Sequence, residues 1–266
     1  MTIRAERNGY TATVTIANPE SLNALFLVDL QTLAELWDQL EADDGVRVVV
    51  VTGEADRAFC SGANLKELIP ILTDDLRRSK DPYRTLSDMT SLHRAFLKQG
   101  QLSKPLIAAV NGLCYAGGVE LLNACDLRVA VEGAVFSLQE PRWGLFPAGG
   151  SVVRLPRQIP FPWAMEILLT GGRLTAREAL AAGLINRVVP PSELWDTVNG
   201  LAARIAANGP LAVRNIKRAV RACLELPLDK AFDEELRWAA EVLASDDARE
   251  GPRAFAEKRE PNYRGR

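Results

Sequence analysis

Two glutamates stand in settings unlike that of an ordinary surface carboxylate. Glu120 lies in Ala108–Asp126, AAVNGLCYAGGVELLNACD, where an apolar strand reaches a turn at Gly117-Gly118 and a helix begins. Glycines at such a turn adopt backbone angles closed to other residues and let a ligand approach the main chain. The first helical turn offers free N–H groups and the positive end of the helix dipole, so an oxygen gaining negative charge is stabilised there. Three residues after Gly117, the Glu120 side chain returns to the helix face that carries the Gly117 amide. Taken alone, the segment reads more simply as close packing beside a solvent-facing glutamate. A second segment, Arg57–Leu68, RAFCSGANLKEL, turns at Ser61 to Asn64 and offers the Ala63 N–H as another donor. Two main-chain amides converging on one oxygen form an oxyanion hole. In the third, Ala134–Gly150, AVFSLQEPRWGLFPAGG, Glu140 sits among Phe136, Trp143 and Phe146. Apolar neighbours disfavour its ionised form, which suits proton transfer near neutral pH. A surface glutamate beside Pro141 fits that segment equally well.

The elements that must position these groups alternate in type. Thr11–Ala17 alternates around Val14 and Ile16 as a strand, and Val46–Val51 is a β-branched run suited to a buried one. Between them Leu30, Leu33, Leu36, Trp37 and Leu40 share one helix face. Further strands are expected at Leu106–Val110 and Leu127–Val131, with a short helix at Gly117–Ala124 between them. This alternation predicts an α/β fold. A capping box, Thr175 with Glu178, and a stop at Gly183 delimit another helix, followed by a strand at Leu184–Val189. After Pro190-Pro191 the chain turns helical, at about Glu193–Ala207, Leu211–Glu225 and Lys230–Ala244, so a boundary is expected near residue 191. The charged segment Ile69–Gln101 is expected to form a mobile helical flap over a site.

Composition excludes several classes. With 47% hydrophobic and 25% charged residues over 266 positions, the chain is expected to fold as a globular protein. A net charge of -2 gives no general attraction to nucleic acid or anionic membrane, and no apolar run approaches the roughly 18 residues of a membrane span. The N-terminus, with Arg4, Glu6 and Arg7, lacks the apolar stretch of a secretory signal. Cys60, Cys114, Cys125 and Cys223 are scattered with a single histidine, so reduced cytoplasmic thiols are expected and no metal site. The lone His93 is expected on a polar helix surface rather than as a catalytic base, and Ser61 lacks the Gly-x-Ser-x-Gly elbow of a serine hydrolase. Gly117-Gly118 do not make the Gly-x-Gly-x-x-Gly of a dinucleotide site.

In their order and spacing the three segments resemble the crotonase (enoyl-CoA hydratase/isomerase) superfamily, and the likeness runs from about Thr11 to the closing AFAEKREPNY. The resemblance implies a crotonase-like spiral of β-β-α units over residues 1–191 and a helical C-terminal trimerisation region over 192–266, assembled as a homotrimer or a hexamer of two trimers. It implies an acyl-CoA thioester substrate and no separate cofactor. By the same resemblance Ala63 and Gly117 donate amides to the thioester oxygen, while Glu120 and Glu140 hold a water and handle the protons. Glu120 is the better candidate for activating water and Glu140 for protonating C2. Ala24, Leu25, Arg57, Ser61 and Lys66 resemble parts of the CoA pocket, and Phe255 and Lys258 match positions that reach the CoA nucleotide from a neighbouring subunit.

The chain departs from that pattern at Asn64, where many members carry Asp, and at Ala148, where hydratases commonly carry Gly. Tyr115, Trp143 and Phe146 are expected to shape the acyl pocket. Isomerisation, dehydration of a 3-hydroxyacyl-CoA and carbon–carbon hydrolysis stay open as alternative reactions. The basic stripe Arg214, Lys217, Arg218 and Arg221 leaves a non-catalytic RNA-binding or scaffolding member as a more remote one.

Overall fold

The computed structural model describes residues 2–99 and 102–266. Met1, which opens the N-terminal segment, and Gly100 and Gln101, which close the expected flap, lie outside the described residues. The chain begins with a hairpin, β1 (Ile3–Asn8) and β2 (Thr11–Ile16), turned at Gly9 with φ +57°. Strand β1 has no signature in the sequence because all but its first residue are exposed, leaving no apolar alternation to read. Helix α1 (Leu27–Ala42) follows and buries Leu30, Leu33, Trp37 and Leu40, the face that their spacing marks out.

Three passes of strand, strand and helix come next. The first is β3 (Val48–Gly53), β4 (Ala58–Cys60) and the helices α2 (Leu68–Arg78), α3 (Pro82–Ser87) and α4 (Thr90–Ala95). The second is β5 (Leu106–Val110), β6 (Leu113–Tyr115) and α5 (Gly117–Leu122). The third is β7 (Leu127–Val131), β8 (Val135–Ser137), α6 (Ser151–Gln158) and α7 (Phe161–Thr170). Each pass adds one parallel strand to each of two sheets. β3, β5 and β7 join the sheet ordered β1-β2-β3-β5-β7, and β4, β6 and β8 lie side by side in the other. This is the spiral of β-β-α units. β3 and β5 are buried at every residue, as parallel strands covered on both faces must be.

The second sheet is closed by β9 (Leu174–Thr175), antiparallel to β8, after which come α8 (Ala176–Ala181) and β10 (Arg187–Val189), which pairs with β7. The Thr175 and Glu178 capping box at α8 is formed as expected. Four helices finish the chain: α9 (Leu194–Ala206), α10 (Pro210–Cys223), α11 (Leu228–Leu243) and α12 (Asp246–Ala256). α9 packs over β3, β5 and β7, whereas α10 packs on α11. Helices α6 and α12 are hidden in the sequence because each contains an interior proline, Pro156 and Pro252, that normally argues against helix.

Two surface expectations are corrected. His93 is not on a polar surface: it is buried, and its Nε2 lies 2.9 Å from the Leu86 carbonyl. The cationic stripe of α10 is largely engaged within the molecule, with Lys217 and Arg221 paired to Asp126 and Arg218 to Glu41. No helix among the described residues is long and apolar enough to cross a membrane.

Candidate active site

Loop 61–64 follows β4, the Gly117 turn follows β6 and the Glu140 turn follows β8, so three neighbouring parallel strands deliver all three segments at their carboxyl ends. There they surround one cavity of about 550 Å³, lined by Leu25, Ser61, Ala63, Gly117, Glu120 and Glu140. Ala63, Gly117 and Glu140 are far apart along the chain and meet because the strands that carry them are adjacent.

The two amides are aimed by backbone constraints. Ala63 pairs with Leu25 in a parallel bridge in which the Leu25 N–H donates to the Gly62 carbonyl and the Asn64 N–H to the Leu25 carbonyl, each at 2.8 Å. This pairing uses the groups flanking Ala63, which leaves its own N–H on the opposite side. Gly117 is there: a Cβ built on Gly117 would lie 3.6 Å from the Ala63 nitrogen, and one built on Gly62 would lie 2.9 Å from the Gly117 nitrogen. Gly62 also takes φ +97°, so glycine is required both for its angle and for the approach. Ala116, with φ 48° and ψ -118°, holds a strained conformation and is anchored by its N–H to the Ser137 carbonyl at 2.8 Å. The kink starts α5 at Gly117, whose N–H in the first turn has no carbonyl four residues back to bond.

Both carboxyls are withdrawn from solvent, Glu120 to 5% exposure and Glu140 to 8%. Burial pushes the Glu120 carboxyl up to about 8, and the charge of Glu140 adds to the rise, against weaker opposition from the Ser151 and Gly149 amides and the Lys98 ammonium. Burial also raises Glu140. Glu120 Oε1 accepts the Ser151 N–H at 3.4 Å, whereas Glu140 Oε2 is buried with no hydrogen-bond partner among the described residues. Because the charge of Glu140 helps to raise the Glu120 carboxyl, the two acids titrate as a pair rather than singly. Near neutrality the repelling pair therefore carries a shared proton, one acid beside one base. Gly149 makes this possible: any Cβ there would meet Glu120 Oε2 at 2.3 Å.

The remaining candidates divide. Tyr115, Trp143 and Phe146 line the cavity, the last two from an exposed rim, so they do not provide the burial around Glu140 that the sequence suggested. Arg57 and Lys66 are exposed and outside it, and Ala24 is buried beside Leu25 without lining it. Phe255, 87% exposed on α12, and Lys258 just beyond it are likewise not part of this cavity within one chain. Asn64 serves the local fold, because its Oδ1 accepts the Lys66 and Glu67 N–H groups at 2.9 and 3.0 Å and so starts the turn into α2. Ala148 has a φ outside the left-handed region, so its methyl costs no backbone strain there.

Three residues that sequence reasoning passes over support Glu120. Lys98 Nζ donates to the Ala148 carbonyl at 2.7 Å, and its charge lies close enough to lower Glu120. The Arg154 guanidinium donates to the Phe96 and Leu97 carbonyls at 2.9 and 2.6 Å, fixing the segment that carries Lys98 and the Phe96 ring beside Gly117. Gly149 completes the set. Nothing local in the sequence marks Lys98 or Arg154, which act from different passes of the spiral; Gly149 alone leaves a signal, as part of a Gly-Gly pair. Among the described residues no group of three His, Cys, Asp or Glu is placed to hold a metal ion.

Comparison with known proteins finds relatives along nearly the whole chain. The family model described as enoyl-CoA hydratase/isomerase matches residues 6–266. Enoyl-CoA hydratase EchA19 of Mycobacterium tuberculosis is 43% identical over 261 residues, covering 98% of this chain and 96% of that protein. Carnitinyl-CoA dehydratase of Proteus mirabilis is 36% identical, covering 92% and 91%. The crystal structure of an enoyl-CoA hydratase from Bacillus anthracis superposes over the full length of both chains with a TM-score of 0.90 at 33% identity.

Proposed function

We propose, from the premise that this chain belongs to the enoyl-CoA hydratase/isomerase family, that it adds water across the 2,3-double bond of an acyl-CoA thioester. The observation that carries this reading is the pair of buried, mutually repelling carboxyls beside two amides of one cavity. The Ala63 and Gly117 N–H groups take the thioester oxygen and draw electron density from C3. Glu120, as carboxylate, removes a proton from the water that attacks C3. Glu140, as acid, delivers its proton to C2 as the enolate collapses, and the double bond becomes a C–O and a C–H bond. Proton exchange between the two carboxyls and solvent restores the starting state.

The same groups run the reverse elimination from a 3-hydroxyacyl-CoA, the direction in the name of the carnitinyl-CoA dehydratase relatives. Presence of both carboxyls favours hydration chemistry over double-bond isomerisation, for which one suffices. The internal pairing of Lys217, Arg218 and Arg221 tells against an RNA-binding role. Ala24, Leu25, Ser61, Arg57 and Lys66 are assigned to the CoA arm. The region 192–266 is assigned to joining subunits, since Ile216 and Val220 on α10 and Phe232, Leu236 and Leu243 on α11 are exposed apolar residues. A homotrimer or a pair of trimers would bring Phe255 and Lys258 to a neighbour's CoA. Three buried free thiols, Cys60, Cys114 and Cys125, accord with a reducing cytoplasm.

Incubation with enoyl-CoA thioesters in heavy-oxygen water tests the reaction: label at C3 supports hydration, and a shifted double bond without label replaces it with isomerisation. Glu120→Gln and Glu140→Gln are each expected to lower kcat by about 10²–10⁴-fold while CoA affinity stays. Full activity in either variant removes that residue from the mechanism.

A further inference from the structure

Beyond Leu68, helices α2 and α3 carry apolar side chains that the hydrophobic core of the described residues does not take up. In α2 only Leu68 is buried, and α3 buries nothing. Yet Leu68, Leu72 and Leu76 repeat every four residues, so they form one stripe along α2, with the exposed Asp74, Arg77 and Arg78 elsewhere on its surface. An amphipathic helix holds its place by burying such a stripe. Here the stripe faces the catalytic cavity, together with Leu86 at the end of α3, Leu30 of α1 and Met89. The cavity, about 550 Å³, falls within the roughly 300–1,000 Å³ that encloses a drug-sized ligand. Its acids other than Glu120 and Glu140 are Asp75 and Asp88, both on the exposed side of their segments. Among the described residues the lining also holds no lysine or arginine, so no buried counter-charge there awaits an acyl chain that ends in a cation or a carboxylate.

We infer, on the hydratase reading above, that the substrate is an acyl-CoA whose acyl group is uncharged, apolar and substantially larger than four carbons, seated against the leucine stripe of α2. The acyl group completes the core that α2 and α3 lack. A four-carbon group reaches from the thioester past the two carboxyls and ends there, leaving the stripe to water. Each further methylene that leaves water for this lining strengthens binding by about four-fold.

The experiment measures dissociation constants of saturated acyl-CoAs from butyryl to dodecanoyl by calorimetry on the whole protein, below their aggregation concentrations. In parallel, kcat/KM is measured for the matching 2-enoyl-CoAs. Affinity is expected to rise by on the order of a hundred-fold or more from four to eight carbons and then to level off as the cavity fills. Leu72→Trp and Leu76→Trp, at half-buried positions outside the hydrophobic core, are each expected to cut the octanoyl-to-butyryl affinity ratio at least ten-fold. Equal affinity across the series, or tightest binding of butyryl-CoA, overturns the inference and leaves hydration standing. A ratio unchanged in both tryptophan variants overturns the seat on α2. Failure of every enoyl-CoA to gain label refutes hydration instead, and the saturated series still decides the acyl class.

Discussion

Replacing Gly149 with alanine adds one methyl group, and the structure says where it goes. The new Cβ would lie 2.3 Å from Glu120 Oε2, 2.7 Å from its Cδ and 3.1 Å from its Cβ. Restoring an ordinary contact of 3.4 Å requires the carboxyl oxygen to retreat by about 1.1 Å. The atom that gives way is the end of a side chain rather than backbone, so the fold survives. The Ser151 N–H bond to Oε1, already 3.4 Å, is the interaction that the retreat disrupts. A displacement of about 1 Å in a reacting group costs on the order of 10²-fold in rate. Gly149→Ala is therefore expected to lower kcat for hydration by about 10²-fold, with a circular dichroism spectrum like the parent's and binding of a saturated acyl-CoA within a few-fold. Steady-state hydration assays beside calorimetric titration of the same preparation separate these quantities. A variant with near-parental kcat would show that Glu120 is not held against Gly149 during turnover, or that its position does not matter to the reaction.

Gly62→Ala should be as damaging by another route, since its methyl would meet the Gly117 nitrogen at 2.9 Å and its φ is +97°; a loss of about 10²–10³ in kcat is expected, and wild-type kinetics would exclude an oxyanion hole between these loops. Glu120→Gln should trade activity for stability at high pH. Because folding raises this carboxyl from 4.5 to about 8, the folded state binds its proton more tightly than the unfolded state. Its contribution to stability is full below about pH 4.5 and is lost as pH climbs through about 8. Melting curves should show the variant more stable than the parent at pH 8.5 by on the order of a few kcal/mol, with the advantage gone at pH 4.5; parallel pH dependences would contradict the burial argument. Arg154→Met strips two charged hydrogen bonds from the Phe96 and Leu97 carbonyls and should cost about 2–4 kcal/mol in urea unfolding. A change below about 0.5 kcal/mol would mean that water replaces the guanidinium there without loss.

Much of this protein is legible along the chain because its signals are local. The β-branched run of β3, the apolar face of α1 and the capping box of α8 each lie within one element, and each forms where its pattern places it. The loop at Ala63 is also local, since Gly62 takes φ +97°. At the turn before Glu120 the unusual angle falls on Ala116 rather than on Gly117 or Gly118, where glycine serves close approach instead, a Cβ on Gly118 meeting the Cys60 carbonyl at 2.3 Å. Elements whose stability comes from elsewhere leave no such trace. Strand β1 is exposed along nearly its whole length and exists because β2 pairs with it, and α6 and α12 carry interior prolines that packing overrules.

By itself the sequence determined which groups could do the chemistry: two backbone turns able to present amides, and two glutamates in segments with apolar neighbours. Only the tertiary structure decided that they share a cavity, because that depends on β4, β6 and β8 lying next to one another. It also decided the state of the carboxyls. Desolvation and repulsion fall off with distance through space, not along the chain, so Glu120 acquires its raised affinity for a proton from the burial that both acids share and from the charge of Glu140, which another turn of the spiral brings beside it.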